Sequence, residues 1–296
     1  MKYVMEVWDE ITEKEKKVLV DRGSISFCAE SVEGRRNTIK MTTDKFTVHP
    51  GKVRIERGEG LNFKNEEANS YIKRMLLFGF SSFIYVIDLK YESITEDRIN
   101  KVRESLEGCP IDFIVAARVP LPRLTASWIR KLKQLMIPLI MFYVDSKDEL
   151  IRAPWQRYLE AAFPARTMFL LDQDKIHVSE KEHQLLEQAW EQIVVQWKLN
   201  SHLYIPHSHK GLPLLFLKRL GMYPQKGSFD SGSDADYFMY LTEKQNKKPL
   251  ILPDVIVLKG IIIKSGQTWF LHKASGVELK IIPEQFLPIE DIFHYE

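Results

Sequence analysis

Cysteine is scarce in this chain of 296 residues, where Cys28 and Cys109 are the two copies. They lie far apart, and neither has a second cysteine three positions away. The pattern predicts free buried thiols in a reducing cytoplasm rather than a disulfide framework or a cysteine zinc site. The longest apolar run, from Met75 to Asp88, is interrupted by glycine and serine and is too short to cross a membrane. We therefore expect a cytoplasmic protein with no membrane contact.

An excess of charge of either sign is also missing. The chain has 42 lysine and arginine residues against 40 aspartate and glutamate residues, which gives a net charge of +2. This balance supplies no argument for a nucleic-acid partner. The hydrophobic fraction of 45% is enough for a sizeable core in one large domain or two modest ones.

The apolar pattern changes twice along the chain. Residues 1–49 alternate in the manner of strands, residues 50–223 alternate between buried strands and amphipathic helices, and strands return from residue 224 onward. The middle part predicts parallel strands with crossover helices. Its predicted strands are 83–88, 111–117, 137–143, 167–171 and 203–205, and its predicted helices are 95–106, 126–135, 155–163, 179–197 and 213–220.

Four short motifs occur in one order along the chain. They read VLVDRGSI at 18–25, FTVHPG at 46–51, LFGFSS at 77–82 and GSFDSGSDADYFM at 227–239. Together they resemble the motifs of the amidohydrolase superfamily, the metal-dependent hydrolases that include dihydroorotase, hydantoinase and urease. The resemblance implies a (β/α) barrel beside a small β-sandwich to which both chain ends contribute. It also assigns Asp234 and Asp236 to a structural turn.

The resemblance predicts an α/β fold with two domains. Residues 1–49 and 224–296 would form a discontinuous composite β-sandwich, and residues 50–223 a reduced barrel. Only about 170 residues remain for the barrel, whereas a complete eightfold (β/α) barrel needs about 250. We therefore expect a truncated or distorted TIM-like barrel. Its open edge would need cover, which predicts a homodimer.

The metal motif of the superfamily is missing at its expected place. Members carry His-x-His after a Pro-Gly, because two imidazoles on one side of a strand bind a divalent metal that supplies hydroxide. Here Arg54 replaces the preceding aspartate, Glu56 the first histidine and Gly58 the second. No histidine occurs between Pro50 and Ile176. We therefore predict that the binuclear metal centre is lost and that the protein has no cofactor.

A relocated metal site is an alternative. His207 and His209 form a His-x-His pair, and His202 lies close to them in the sequence. These residues would hold zinc, with Asp172 or Asp174 from the preceding strand end. A polar loop is the favoured interpretation, since paired loop histidines lack fixed geometry without supporting residues.

Charged residues follow several of the predicted parallel strands. Because strand carboxyl ends share one mouth, Glu56, Asp88, Arg118 and Asp145 are predicted to converge there. They would either bind a small charged ligand or fill the old active site as a salt-bridge cluster, which is slightly favoured.

Three functions remain open at this point. The first is a non-catalytic amidohydrolase-like protein with a binding or interaction role, whose partner is a small charged ligand or another protein. The second is a metal-dependent hydrolase of amide or cyclic amide substrates with zinc at His202, His207 and His209. The third is a metal-free enzyme that uses Glu56, Asp88 and Arg118 for acid–base chemistry.

Overall fold

The structure is a computed structural model that describes residues 2–9, 14–29, 38–57, 66–172, 180–203, 211–242 and 252–283. The strands are β1 Lys2–Asp9, β2 Lys14–Asp21, β3 Ser24–Ala29, β4 Ile39–Met41, β5 Phe46–Pro50, β6 Lys52–Arg57, β7 Phe80–Asp88, β8 Asp112–Pro120, β9 Leu139–Tyr143, β10 Met168–Leu171, β11 Tyr237–Leu241, β12 Val255–Leu258, β13 Ile261–Ser265 and β14 Thr268–Trp269. The helices are α1 Glu66–Leu77, α2 Thr95–Ser105, α3 Ala126–Gln134, α4 Lys147–Arg152, α5 Trp155–Ala162, α6 Glu180–Trp197 and α7 Leu214–Leu220.

The strands form three sheets. A parallel sheet has the order β10-β9-β8-β7-β6, and two antiparallel sheets have the orders β3-β2-β1-β4 and β14-β13-β12-β11-β5. The parallel sheet follows the chain order with helices between its strands, and it curls into a half-barrel. Within the described ranges it has five strands, against the eight of a complete (β/α) barrel.

The parallel strands are buried on both faces, and their side chains alternate between two cores. On β7, Phe83 and Tyr85 pack on the outer face against the helices. Ile84 and Val86 belong to a separate core on the inner face of the half-barrel. This alternation fixes which residues at the strand ends look into the half-barrel.

Helix α7 fills the inside of the half-barrel. Its residues Phe216, Leu217 and Leu220 are buried and pack with the inward residues of the parallel strands, among them Val53 and Ile84. Pro213 precedes the helix as its cap residue, and Gly221 ends it in the left-handed conformation. The interior is thus a packed apolar core.

Both edges of the parallel sheet are bonded by the chain itself. Phe169 of β10 donates its backbone N–H to the carbonyl of Asn200 at 2.9 Å, and Leu212 donates to the carbonyl of Val53 on β6 at 2.8 Å. One segment of chain therefore touches both edges. The homodimer stays a prediction.

A segment near the C-terminus completes the start of β8. Strand β9 pairs with β8 from Ala117 onward, so the first residues of β8 have a free side. Phe113 takes a partner there, since it donates to the carbonyl of Val277 at 3.1 Å and accepts from Leu279 at 2.8 Å. The Leu279 side chain is buried in the inner core.

The two antiparallel sheets pack on one another and join both chain ends. Strand β5 pairs with β11, and Tyr3 and Met5 of β1 share a core with Tyr237 and Met239 of β11. The hydroxyl oxygens of Tyr3 and Tyr237 lie 2.8 Å apart in this core. The opposite face of the same sheet contributes Phe238 to the core beneath the helices. The domain boundaries at 49/50 and 223/224 stay predictions.

Strand β2 begins within a charged stretch at Lys14, and Lys17 lies 3.7 Å from Glu6 across the strand pair. One local expectation changes. Leu203 of the predicted strand 203–205 lies outside any strand, and the other two residues fall beyond the described ranges. Among the described residues, no helix has both the length and the apolarity that a membrane crossing requires.

Candidate functional site

Five side chains gather at the carboxyl ends of the parallel strands. This mouth cluster consists of Arg57, Asp88, Arg118, Tyr143 and Asp172. In each strand, the cluster residue comes two positions after an apolar residue that packs in the inner core. Because alternate side chains of a strand point to the same side, the cluster residue faces the same side as that apolar residue. The preceding apolar residues are Ile55, Val86, Ala116, Met141 and Leu170.

Arg118 is the centre of the mouth cluster. Its Nε donates to Oδ2 of Asp172, its Nη1 donates to Oδ1 of Asp88 at 2.6 Å, and its guanidinium carbon lies 4.5 Å from the centre of the Tyr143 ring. The side chain is 5% exposed. Burial lowers the pKa of Arg118, but the charges of Asp172 and Asp88 outweigh burial and raise it. Arg118 is therefore a permanent cation.

Asp172 is held by two guanidinium groups. Besides Arg118, its Oδ1 lies 3.1 Å from Nη2 of Arg57. The Asp172 side chain is 1% exposed, whereas Arg57 is 30% and Asp88 is 43% exposed. The cluster has a buried base and a half-exposed rim. Its two arginines and two aspartates have a summed formal charge of zero.

The predicted convergence holds for one pair of residues. Asp88 and Arg118 are in contact at the mouth, as strand-end geometry predicts. Asp145 is exposed in the loop before α4, where its backbone N–H donates to Oε2 of Glu149 at 3.0 Å. No bond between Asp145 and Arg118 occurs among the described contacts.

Glu56 faces away from the mouth. It accepts a hydrogen bond from the Tyr71 hydroxyl of α1 and pairs with Arg54. Because side chains alternate along β6, Glu56 points to the helix side when its neighbour Arg57 points to the mouth. Arg57 was missed by the sequence reasoning. Counting alternate residues from the inward Val53 would have found it.

The predicted histidine site is described only in part. His202 is buried, and its ring centre lies 5.6 Å from that of Phe216 on α7. His207, His209 and Asp174 lie outside the described residues. Asp172, a suggested partner of these histidines, belongs to the mouth cluster, and the relocated site stays a prediction.

A second charged cluster lies at the opposite end of the parallel sheet. The buried ammonium of Lys226 is 2.6 Å from Oδ2 of Asp112, 2.6 Å from Asp236 and 2.9 Å from Asp234. Burial lowers the pKa of Lys226, but the three carboxylates outweigh it and raise it. Asp236 also accepts the backbone N–H of Lys259 at 2.7 Å, as expected of a turn residue.

Three carboxylates this close have the donor type of a hard cation site. The Lys226 ammonium already lies among them, so the group carries its own counterion.

Comparison with known proteins finds likeness in structure alone. No protein-family model and no curated protein sequence matches the chain. A D-hydantoinase structure matches with a TM-score of 0.54 and 12% identity, covering 95% of this chain and 98% of that one. A dihydropyrimidinase from Brevibacillus agri NCHU1002 matches with 0.53 and 11%, covering 96% and 99%. A triazine hydrolase from Arthobacter aurescens matches with 0.52 and 9%, covering 91% and 96%.

These neighbours are enzymes of the amidohydrolase superfamily. At such identities the likeness shows the fold, and activity does not follow from fold. The chain therefore has an amidohydrolase-like fold.

The binuclear metal centre implied by this fold does not fit the mouth cluster. Metal ligands there would have to be neutral imidazoles or carboxylates with free lone pairs. The residues present are two arginines, a tyrosine and two aspartates that the arginines already bind. A divalent cation beside Arg57 and Arg118 would meet two fixed positive charges.

Proposed function

We propose that this is a non-catalytic amidohydrolase-like protein whose mouth cluster serves a binding or interaction role. The observation that carries the proposal is the occupation of both mouth carboxylates, Asp88 and Asp172, by guanidinium groups. Such groups stay charged at every physiological pH. The carboxylates are thereby engaged as counterions rather than presented as metal ligands.

Acid–base catalysis without a metal has little support. Arg118 has a raised pKa and cannot exchange a proton near neutral pH. Glu56, the other candidate acid, lies on the helix side with Tyr71 and Arg54. Of the three predicted acid–base residues, only Asp88 would then be in position to transfer a proton at the mouth.

Metal content and hydrolysis test the proposal together. The full chain is incubated with zinc or manganese, passed through gel filtration, and analysed for bound metal by mass spectrometry and for hydrolysis of hydantoin and dihydrouracil. We expect less than stoichiometric metal and no metal-stimulated turnover. Metal-stimulated turnover would overturn the proposal. If His202→Ala lost both the bound metal and the metal-stimulated turnover, the relocated zinc site would be established instead.

The homodimer and the cytoplasmic location belong to the same proposal. Sedimentation equilibrium of the full chain measures the first directly.

A further inference from the structure

One nitrogen of the mouth cluster has no acceptor among the residues that the structure describes. Nη2 of Arg118 is buried and has no hydrogen-bond partner among the described residues, although Nε and Nη1 of the same group are bonded. Buried donors without acceptors are rare in folded proteins, and each calls for a partner such as a water, an ion or a ligand. The guanidinium thus has one donor for which the described residues supply no acceptor.

We propose that the mouth cluster binds a small oxyanion, a carboxylate or a phosphate, with Nη2 of Arg118 as the donor and Arg57 as the second cation. The inference rests on the proposed function, because it treats the mouth as a binding site. Arginine suits this role, since its planar fork matches the oxygens of carboxylates and phosphates.

Asp172 fixes the positions of Arg57 and Arg118. It is 1% exposed, and it binds Arg118 through Oδ2 and Arg57 through Oδ1. Two guanidiniums thus share one buried carboxylate, and the half-exposed Asp88 balances the remaining positive charge. The Tyr143 ring, 4.5 Å from the guanidinium carbon, fixes the plane of Arg118.

Asp88 lies next to the proposed ligand position. Its carboxylate accepts from Nη1 of Arg118 at 2.6 Å, and its side chain is 43% exposed. An arriving oxyanion would bind the adjacent Nη2 and meet the negative charge of Asp88. The half-exposed Asp88 therefore weakens oxyanion binding, while the buried Asp172 supports it.

This difference gives a directional test. Isothermal titration calorimetry at low ionic strength measures the binding of inorganic phosphate and, separately, of acetate to the full chain. We expect Asp88→Asn to bind the preferred ion about fivefold tighter, because one half-screened repulsion is removed. Arg57→Gln should weaken the same binding by a similar factor. Thermal unfolding of each variant verifies that it is folded.

Asp148→Asn is the matched control. Asp148 is exposed in the first turn of α4, and its substitution also removes one negative charge. We expect its affinity to equal that of the wild type. Preference for phosphate or for acetate identifies the source of the oxyanion, and either supports the inference.

Two results would overturn the inference: no binding of either ion by wild type and Asp88→Asn, or an equal gain in Asp148→Asn. Both leave the proposed lack of catalysis untouched. Metal-stimulated hydrolysis, by contrast, would defeat the proposed function whether or not an oxyanion binds.

Discussion

Lys226 is a single residue that pairs with two buried carboxylates, Asp112 and Asp236, and with the partly buried Asp234. Its side chain is 1% exposed and pairs with Asp112, Asp234 and Asp236. Lys226→Met would remove the buried counterion of this group and leave only the partly exposed Lys259 beside Asp112, because the hydrocarbon keeps the volume but not the ammonium. We expect the free energy of unfolding at neutral pH to fall by about 3–5 kcal/mol, measured by urea denaturation.

Lys259→Met is the control for this change. Lys259 pairs with Asp112 at 2.7 Å but is 34% exposed, so solvent screens the pair. We expect a loss of about 1 kcal/mol or less. Equal losses in the two variants would contradict the special role of the buried ammonium.

The loss in the free energy of unfolding that Lys226→Met causes should depend on pH. Burial raises the pKa of Asp112, but Lys226 and Lys259 outweigh it, and the net pKa is lowered. In the wild type, the stability that ionised Asp112 contributes is present above the pKa of the carboxyl in the unfolded chain. It is lost as pH falls through the pKa of Asp112 in the folded protein. Without Lys226 burial dominates, the folded pKa rises, and stability is lost as pH rises through it. Urea curves from pH 7 to pH 4 should therefore converge; a constant gap would refute this account.

Helix α7 is the element that decides whether the half-barrel has an open interior. Phe216 is fully buried between the parallel strands and His202. Phe216→Ala should lower the free energy of unfolding by about 3–5 kcal/mol, because it leaves a cavity in the inner core. Phe78→Ala, at a side chain that is 53% exposed after α1, should cost about 1 kcal/mol or less. If Phe216→Ala were as mild as Phe78→Ala, α7 would be a loosely held cover instead.

The predictable elements are those with strong local patterns. Helix α6 was expected at 179–197 and is observed at Glu180–Trp197, because its apolar face repeats at the helical period. Helix α1 was not predicted, although its buried residues Ala68, Ile72, Met75 and Leu76 recur at helical spacing. Which face of β6 each residue occupies also escaped the sequence reasoning, because a shift of one residue exchanges Glu56 for Arg57.

Across the whole molecule, segments from early and late in the chain pair with distant strands. Strand β5 pairs with β11, and residues 277–279 pair with the start of β8. Motif resemblance anticipated that both ends would share a sandwich. It could not reveal the contact of residues 277–279 with β8, because parallel pairing over such a long sequence separation leaves no local signal.

Leu279 tests whether this last contact is part of the fold. The side chain is 7% exposed in the inner core, whereas Val277, two residues earlier, is 50% exposed. If the segment completes the half-barrel, Leu279→Ala should lower the free energy of unfolding by about 2–5 kcal/mol, because the cavity opens beneath β8. Val277→Ala should change it by about 0.5 kcal/mol. Urea denaturation followed by tryptophan fluorescence measures both. Similar small values would mean that residues 277–279 lie on a barrel that is already complete without them.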